Sequence, residues 1–336
     1  MKNITWKTIM KHRNATFGCA AIWIVLYHIY SIYHSPHIPI ISHIINIGNM
    51  GVDVFVFLSA IGLSFSIEKH NTKGFYINRL KRVFIPFILI ATPFYIWNSL
   101  AEYGINIKAL YEFCLNITTI SFWCREGAAA WYIAFVVIIY AFFPLLYKLK
   151  KKNNYLLLLL IVLSIAIEFL LKTTGSPIFI FGERVLSRIP IFLVGMFIAD
   201  WVKEDKKVID LLALVVIVVA CAGFIYITLF SVDIVIKRYL YAFMSIAFVL
   251  LLNFILNIIQ KINIVKPLYR MLDFCGGISL EIYLIHTFII RLLKYYNILY
   301  LVHYLVYYIT ILIISITLSI VINNLSSYII KSKKQI

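Results

Sequence analysis

The sequence contains few charged residues and very few acidic ones. Of its 336 residues 13% are charged, and Asp and Glu number 14 against 31 Lys and Arg. Soluble globular domains carry about 25% charged residues, so the composition excludes a soluble domain of any size. The chain also lacks a low-complexity linker and an evident internal repeat, and we therefore treat residues 1–336 as one domain.

Cysteine pairs of the kind that bind metals are also missing. None of the five cysteines forms a CxxC pair or another metal-ligand spacing. They are Cys19, Cys114, Cys124, Cys221 and Cys275. Cys114 and Cys124 share one segment between apolar runs, and spacing alone leaves open whether they form a disulfide.

Three histidines lie between the first two apolar runs. His34, His37 and His43 share this short segment with two prolines, and neither a carboxylate nor a cysteine stands beside them. We interpret them as solvated residues, and we expect no metal site in the chain.

Apolar runs of membrane-spanning length fill most of the chain. Hydrophobic residues make up 63% of it, and about 20 apolar residues suffice to cross a bilayer as a helix. We predict an all-α polytopic membrane protein with ten spans. Their approximate bounds are 15–33, 48–67, 80–100, 131–147, 155–171, 186–202, 208–230, 238–258, 276–294 and 303–329.

The basic residues predict the orientation of the spans. The net charge of +17 could indicate a nucleic-acid partner, but the basic residues lie in short clusters between apolar runs. Of the 31 Lys and Arg residues, 22 fall in the termini and alternate loops that would share one side. Cytoplasmic loops are enriched in Lys and Arg, so we place both termini in the cytoplasm and expect no nucleic-acid partner.

The first two spans each hold one ionisable residue. His28 lies well inside the first span and Asp53 near the outer end of the second. Ionisable groups within membrane spans are usually functional. We expect the two to lie at the same depth, where Asp53 would orient the imidazole as a general base. A structural ion pair or a helix cap is the alternative for Asp53.

A basic patch stands before the predicted start of the third span. Arg79 and Arg82 are three residues apart and share a helix face with each other, with Lys81 beside them. Guanidinium groups bind phosphates in a bidentate manner. Anchoring to anionic lipid explains the same pattern.

Further polar residues mark a lined cavity. The ninth span holds Ser279, Glu281, Tyr283 and His286 within about two turns, which indicates protein or water rather than lipid beside them. Arg188 stands at the outer mouth of the sixth span, where it is either an exposed interface charge or part of an acceptor site.

Aromatic residues are frequent in the longest segment between spans. Residues 101–130 form the outer segment, and Trp131 follows it at the start of the fourth span. These aromatic rings either belong to an interfacial belt or stack on a sugar.

Six stretches together resemble the integral-membrane acyltransferase-3 family, in the family's order and over nearly the whole chain. Each stretch alone is mostly apolar and weakly specific. They are VLYH (25–28), GVDVFVFLS (51–59), FYINRLKRVFIP (75–86), WYI followed by FFP (131–144), RIPIFLVGM (188–196) and ISLEIYLIH (278–286).

The resemblance implies an enzyme that transfers an acyl group, usually acetyl from acetyl-CoA, to a hydroxyl of a carbohydrate. It implies a cytoplasmic donor and an acceptor that is often outside, such as a cell-surface or lipid-linked glycan. The implied location is the plasma (inner) membrane of a bacterium. His28 matches the family's catalytic histidine, and Asp53 its acidic second-helix position. Arg79 and Arg82 match its Arg-x-x-Arg pair, where CoA phosphates would bind, and His286 its ninth-span histidine.

One position departs from the family. Eleven residues before its first-helix histidine the family usually has a basic residue, and this chain has Phe17 there. Arg13 is the nearest basic residue, about one turn closer to the cytoplasm. Either Arg13 takes over the role or this chain works without it.

The hypothesis from the sequence is an O-acetyltransferase with no tightly bound cofactor. His28 would act as general base or carry the acetyl group, and Ser279, Tyr283 or His286 would stabilise the oxyanion. One alternative is a proton-coupled transporter of a small anionic or glycolipid substrate, with His28, Asp53 and Glu281 as a relay. Another is an inactive scaffold.

Overall fold

The computed structural model describes residues 5–32, 38, 40–125, 130–208, 210–298 and 303–332. Within these ranges the regular structure is helical. The α-helices are α1 (Trp6–Lys11), α2 (Arg13–Ile32), α3 (Ile41–Asn46), α4 (Gly51–Lys69), α5 (Thr72–Tyr103), α6 (Ile107–Ile117), α7 (Ser121–Cys124), α8 (Trp131–Lys152), α9 (Tyr155–Thr173), α10 (Pro177–Leu186), α11 (Ile189–Lys203), α12 (Asp210–Leu229), α13 (Ile234–Ile259), α14 (Lys266–Gly277), α15 (Ser279–Tyr295) and α16 (Tyr304–Ser332). His34 and His37 lie outside the described residues.

The helices confirm an all-α polytopic membrane protein. Among the described residues, eight helical segments are long and apolar enough to cross a bilayer, and α14 with α15 makes a ninth if this bent pair is one span. The apolar part of α12, Ala213–Leu229, corresponds to the remaining predicted span. Because a bilayer interior offers no hydrogen bonds to the backbone, helices are the expected spanning elements.

The third span begins earlier than the sequence predicts. The prediction starts it at residue 80, whereas α5 begins at Thr72. Asn71 caps the helix, since its side-chain oxygen accepts a hydrogen bond of 2.7 Å from the backbone N–H of Gly74. Arg79 and Arg82 therefore both lie inside α5, two to three turns from its start.

Two spans begin earlier in the structure than the sequence predicts, and each is broken. The predicted sixth span, 186–202, corresponds to α11, and α10 precedes it across a break at Ser187 and Arg188, with Pro190 at the start of α11. The predicted ninth span, 276–294, corresponds to α15, and α14 precedes it across a break at Ile278. Proline is favoured in the first turn of a helix because its missing N–H has no partner there in any case.

The helices form two compact units. Unit 1 comprises Met1–Lys69, Tyr147–Phe169 and Ser187–Ser279, and unit 2 comprises His70–Leu146, Leu170–Leu186 and Leu280–Ile336. The chain passes between the units several times, so neither unit is a continuous stretch of sequence. That the whole chain is one domain stays a prediction.

Within unit 1, α2 and α14 approach each other at two glycines. A side-chain carbon at Gly18 would overlap the carbonyl oxygen of Leu272, and one at Gly276 would overlap the carbonyl oxygen of Asn14. The two backbones are therefore in direct contact, which is how small residues pack membrane helices.

Ion pairs join α4, α8 and α11 at their predicted cytoplasmic ends, within unit 1. The ammonium of Lys150 is 2.8 Å from Asp200 and donates a 2.6 Å hydrogen bond to the carbonyl of Met196. Lys203 donates to Glu68 over 2.7 Å. Lys150 is only 4% exposed, so this lysine of the basic 148–152 cluster binds protein rather than solvent.

Aromatic contacts and one ion pair characterise unit 2. Phe94 of α5 stacks on Phe288 of α15, with 4.2 Å between the ring centroids. In the outer segment, Arg125 makes a bidentate ion pair with the buried carboxylate of Glu112. That hydrogen bonding raises the pKa of Arg125. Cys114 and Cys124 both carry free, exposed thiols.

We expect Gly276→Ala to destabilise the protein by about 1–3 kcal/mol, because the added methyl group must displace the backbone of α2. Gly277→Ala is the matched control, since a side-chain carbon there meets no atom within 4 Å. Both variants are heated in detergent, and the loss of the monodisperse peak with temperature gives the melting temperature of each. Equal melting temperatures for the two variants would contradict this packing.

Candidate functional site

The candidate residues divide between the two units. His28, Asp53, Arg188 and Ser279 belong to unit 1. The others belong to unit 2, and they are Arg79, Lys81, Arg82, Trp131, Glu281, Tyr283 and His286.

His28 is held by the backbone of its own helix. Its Nδ1 lies 3.0 Å from the carbonyl oxygen of Ile24, one turn earlier in α2. A carbonyl only accepts hydrogen bonds, so Nδ1 carries the proton. In the neutral imidazole the lone pair then resides on Nε2, which makes Nε2 the basic and nucleophilic atom. The side chain is half-buried.

Asp53 lies closer to the predicted cytoplasmic side than His28, so the expected common depth is wrong. Gly51 abuts Ala20, and the rings of Phe55 and Phe17 are 5.2 Å apart, which sets the register of α4 against α2. By this register Asp53 lies level with about residue 19, roughly 13 Å along the helix axis from His28. The predicted orientation of His28 by Asp53 is therefore not supported, and the carbonyl of Ile24 orients the ring instead.

Asp53 contacts Arg188. The guanidinium Nε lies 3.6 Å from a carboxylate oxygen of Asp53, and the two side chains are 1% and 2% exposed. The break between α10 and α11 places Arg188 here, since it is the residue before the first turn of α11. The sequence indicates both residues as candidates but does not predict that they contact each other. Burying either charge alone would cost several kcal/mol, so each stabilises the other.

Arg13 supplies a positive charge beside Phe17. Its guanidinium carbon lies 4.5 Å from the centroid of the Phe17 ring, in a cation–π contact. A side-chain carbon at Gly62 would come within 3.1 Å of the same guanidinium, so the glycine leaves room for it. The charge is thus next to the position at which the family has its basic residue.

The basic patch of α5 is partly buried in unit 2. Arg79 hydrogen-bonds to Tyr140 of α8, and its guanidinium lies 6.0 Å from the centroid of the Phe75 ring. Arg82 is exposed, and Lys81 is half-buried. An exposed guanidinium beside a positioned one can bind a phosphate at two points.

The polar residues of α15 lie on two faces of the helix. Tyr283 and His286, three residues apart, share one face and are 5.8 Å apart between ring centroids. His286 is fully buried and its Nδ1 is 2.9 Å from the carbonyl of Ile282, as in His28. Glu281 points elsewhere and is within electrostatic range of Arg82.

The two remaining candidates lie at helix starts. Ser279 donates a 2.9 Å hydrogen bond to the carbonyl of Gly276 at the break before α15. Trp131 is half-buried at the start of α8, and its neighbour Tyr132 lies 5.2 Å from Tyr283 between ring centroids. Tyr132 was not among the candidates, and only its place beside Trp131 would have indicated it.

Comparison with known proteins gives one match. A family model described as an acyltransferase domain, of the acyltransferase-3 family, matches residues 18–324. No curated protein and no solved structure matches the chain.

We expect removal of either member of the Asp53–Arg188 pair to cost about 3–5 kcal/mol of stability, since the partner stays buried with an unpaired charge. Asp53→Leu and Arg188→Leu should each lower the melting temperature in detergent. The double variant should lose much less than the sum of the two. Strictly additive losses would show that the pair does not couple.

Proposed function

The chain belongs to the acyltransferase-3 family, and from this premise we propose that it moves an acetyl group from cytoplasmic acetyl-CoA to a hydroxyl of a cell-surface or lipid-linked carbohydrate. It is a multi-pass membrane acyltransferase; the acetyl donor, the carbohydrate acceptor and the plasma (inner) membrane location are part of the proposal. Acetyl-CoA acts as a co-substrate, and no tightly bound cofactor is needed.

The tautomer of His28 is the observation that carries the catalytic step. With Nδ1–H donated to the Ile24 carbonyl, the lone pair of the neutral imidazole is on Nε2. Nε2 removes the proton of the acceptor hydroxyl, the oxygen attacks the thioester carbonyl, and the C–S bond breaks to release CoA thiolate, which takes up a proton. If Nε2 attacks the thioester first, the acetyl group passes through an acetyl-imidazole to the same hydroxyl.

The phosphates of acetyl-CoA bind Arg79 and Arg82 in this proposal, with Lys81 adding positive charge. The hydrogen bond from Arg79 to Tyr140 supports this role because it fixes the direction of one guanidinium. The exposed Arg82 neighbours it on the same helix face.

In this proposal, the polar face of α15 stabilises the oxyanion. The Tyr283 hydroxyl is a donor, and the Nδ1–H of His286 is occupied by the Ile282 carbonyl. We therefore assign the oxyanion contact to Tyr283 and a supporting position beside it to His286. The corrected place of Asp53 gives it a different role: it positions Arg188 rather than His28.

His28→Ala should abolish acetyl transfer in purified membranes, by at least about 100-fold, because general-base or nucleophilic catalysis is lost. The assay follows radiolabel from acetyl-CoA into glycan, and the exposed His70→Ala is the matched control. Label that remains on the wild-type protein after denaturation identifies the acetyl-imidazole route. Retained transfer in His28→Ala would refute the assignment, and substrate flux without consumption of acetyl-CoA would indicate a transporter.

We propose that Arg13 replaces the basic residue that is missing at position 17. Arg13→Ala should then raise the KM for acetyl-CoA roughly tenfold, about 1.4 kcal/mol, and leave the KM for the acceptor unchanged. Phe17→Arg in the Arg13→Ala background should restore donor binding, and Lys11→Ala, exposed on α1, is the control. Unchanged kinetics in Arg13→Ala would mean that the chain works without this charge.

A further inference from the structure

Unit 2 contains an apolar groove that the proposed chemistry does not use. It has a volume of about 420 Å³ and lies between α5, α15 and α16. All its lining residues are apolar. They include Leu89, Pro93, Trp97, Phe288, Ile289 and Leu318. The polar face of α15 points away from it, because Tyr283 and His286 are displaced around the helix from Ile285 and Ile289.

The groove opens toward the hydrocarbon of the bilayer. All three helices are part of membrane spans. Ile88, next to Leu89, is 50% exposed, and Leu318 on the opposite wall is 44% exposed. An apolar cavity of this kind does not hold ordered water, and a hydrocarbon chain matches its lining.

The two ends of the groove differ in polarity. Toward the predicted outer side, the indole N–H of Trp97 donates a 3.2 Å hydrogen bond to the hydroxyl of Tyr296. Tyr295 lies 5.0 Å from Trp97 between ring centroids. Trp and Tyr at this level combine an apolar body with a polar tip, as suits the boundary between a lipid chain and its headgroup.

We propose that this groove binds the hydrocarbon chain of a lipid-linked carbohydrate acceptor, with the sugar held at the aromatic end formed by Trp97, Tyr295 and Tyr296. The inference rests on the proposed function and narrows its substrate to a glycolipid. The part of the ligand that lies inside the groove is a hydrocarbon chain, because the lining is wholly apolar. The headgroup carries hydroxyls, because the outer end of the groove presents indole and phenol groups.

The acyl chain of the donor fits the groove less well. An acetyl group has two carbons and fills little of about 420 Å³. On the inner side of the groove, Glu281 precedes Ile285 by one turn and lies within electrostatic range of Arg82. A chain that entered from the cytoplasmic side would have to pass this charged layer, whereas a bilayer lipid would not.

Photo-labelling in vesicles of phosphatidylethanolamine and phosphatidylglycerol tests the proposal. The probe is a farnesyl glucoside with a diazirine on its chain, and mass spectrometry identifies the labelled residues. We expect wild-type labelling at groove residues, reduced at least fivefold by Ile289→Trp, which fills the groove. Leu318→Trp fills it from the opposite wall and provides a second variant in case the first does not fold. The exposed Ile88→Trp is the matched control, and its labelling should equal wild type.

Two comparison probes give the outcomes that overturn the proposal. Equal labelling of the groove by a diazirine phosphatidylcholine would mean that any bilayer lipid occupies it. Preferential labelling by a diazirine palmitoyl-CoA would assign the groove to the donor. Unchanged farnesyl glucoside labelling in both filled variants would also refute it.

Photo-labelling of the groove does not depend on acetyl transfer, so the His28→Ala protein should label like wild type. If the groove is labelled but the wild-type protein transfers no acetyl group, this inference is supported and the proposed function is contradicted. Acetyl transfer to a water-soluble methyl glycoside that is insensitive to Ile289→Trp would confirm that the variant affects only the chain of the acceptor.

Discussion

A bilayer offers no hydrogen-bond partners, and every polar group within the spans must therefore find one in the protein. The helices satisfy the backbone, and the remaining polar side chains divide according to the partners they have. Asp53 and Arg188 neutralise each other, Lys150 binds Asp200 and a carbonyl, and His28 donates to the turn before it. The candidate chemistry thus rests on side chains whose orientation is already fixed by the requirement to be paired.

This requirement separates structural charges from reactive groups. The buried Asp53–Arg188 pair is neutral as a unit and holds the start of α11 against α4. His28 has a backbone carbonyl as partner of Nδ1, and in the neutral imidazole the lone pair is then on Nε2. An aspartate at Nδ1 would have favoured the imidazolium instead. The arrangement suits a group that exchanges a proton or an acyl group during each cycle.

The sequence predicted an all-α polytopic membrane protein because apolar runs of membrane length are a strong signal. It placed the starts of the sixth and ninth spans close to the two breaks, at residues 186 and 276, and did not predict the helices α10 and α14 that precede them. It began the third span at residue 80, because the Asn71 cap lies in a polar stretch where hydropathy carries no signal. The depth of Asp53 was wrong for another reason: it depends on the register of α4 against α2, which Gly51 and Phe55 set through packing. The match to the acyltransferase-3 family model supports acyltransferase activity in general.

The backbone contact between α2 and α14 limits which parts can move. Where Gly18 and Gly276 bring two main chains together, neither helix can rotate or slide without separating them. His28 lies on α2, and this contact holds the inner half of α2 in a fixed position. Any motion that accompanies acyl transfer is then expected in helices outside this contact, with substrates brought to a stationary histidine.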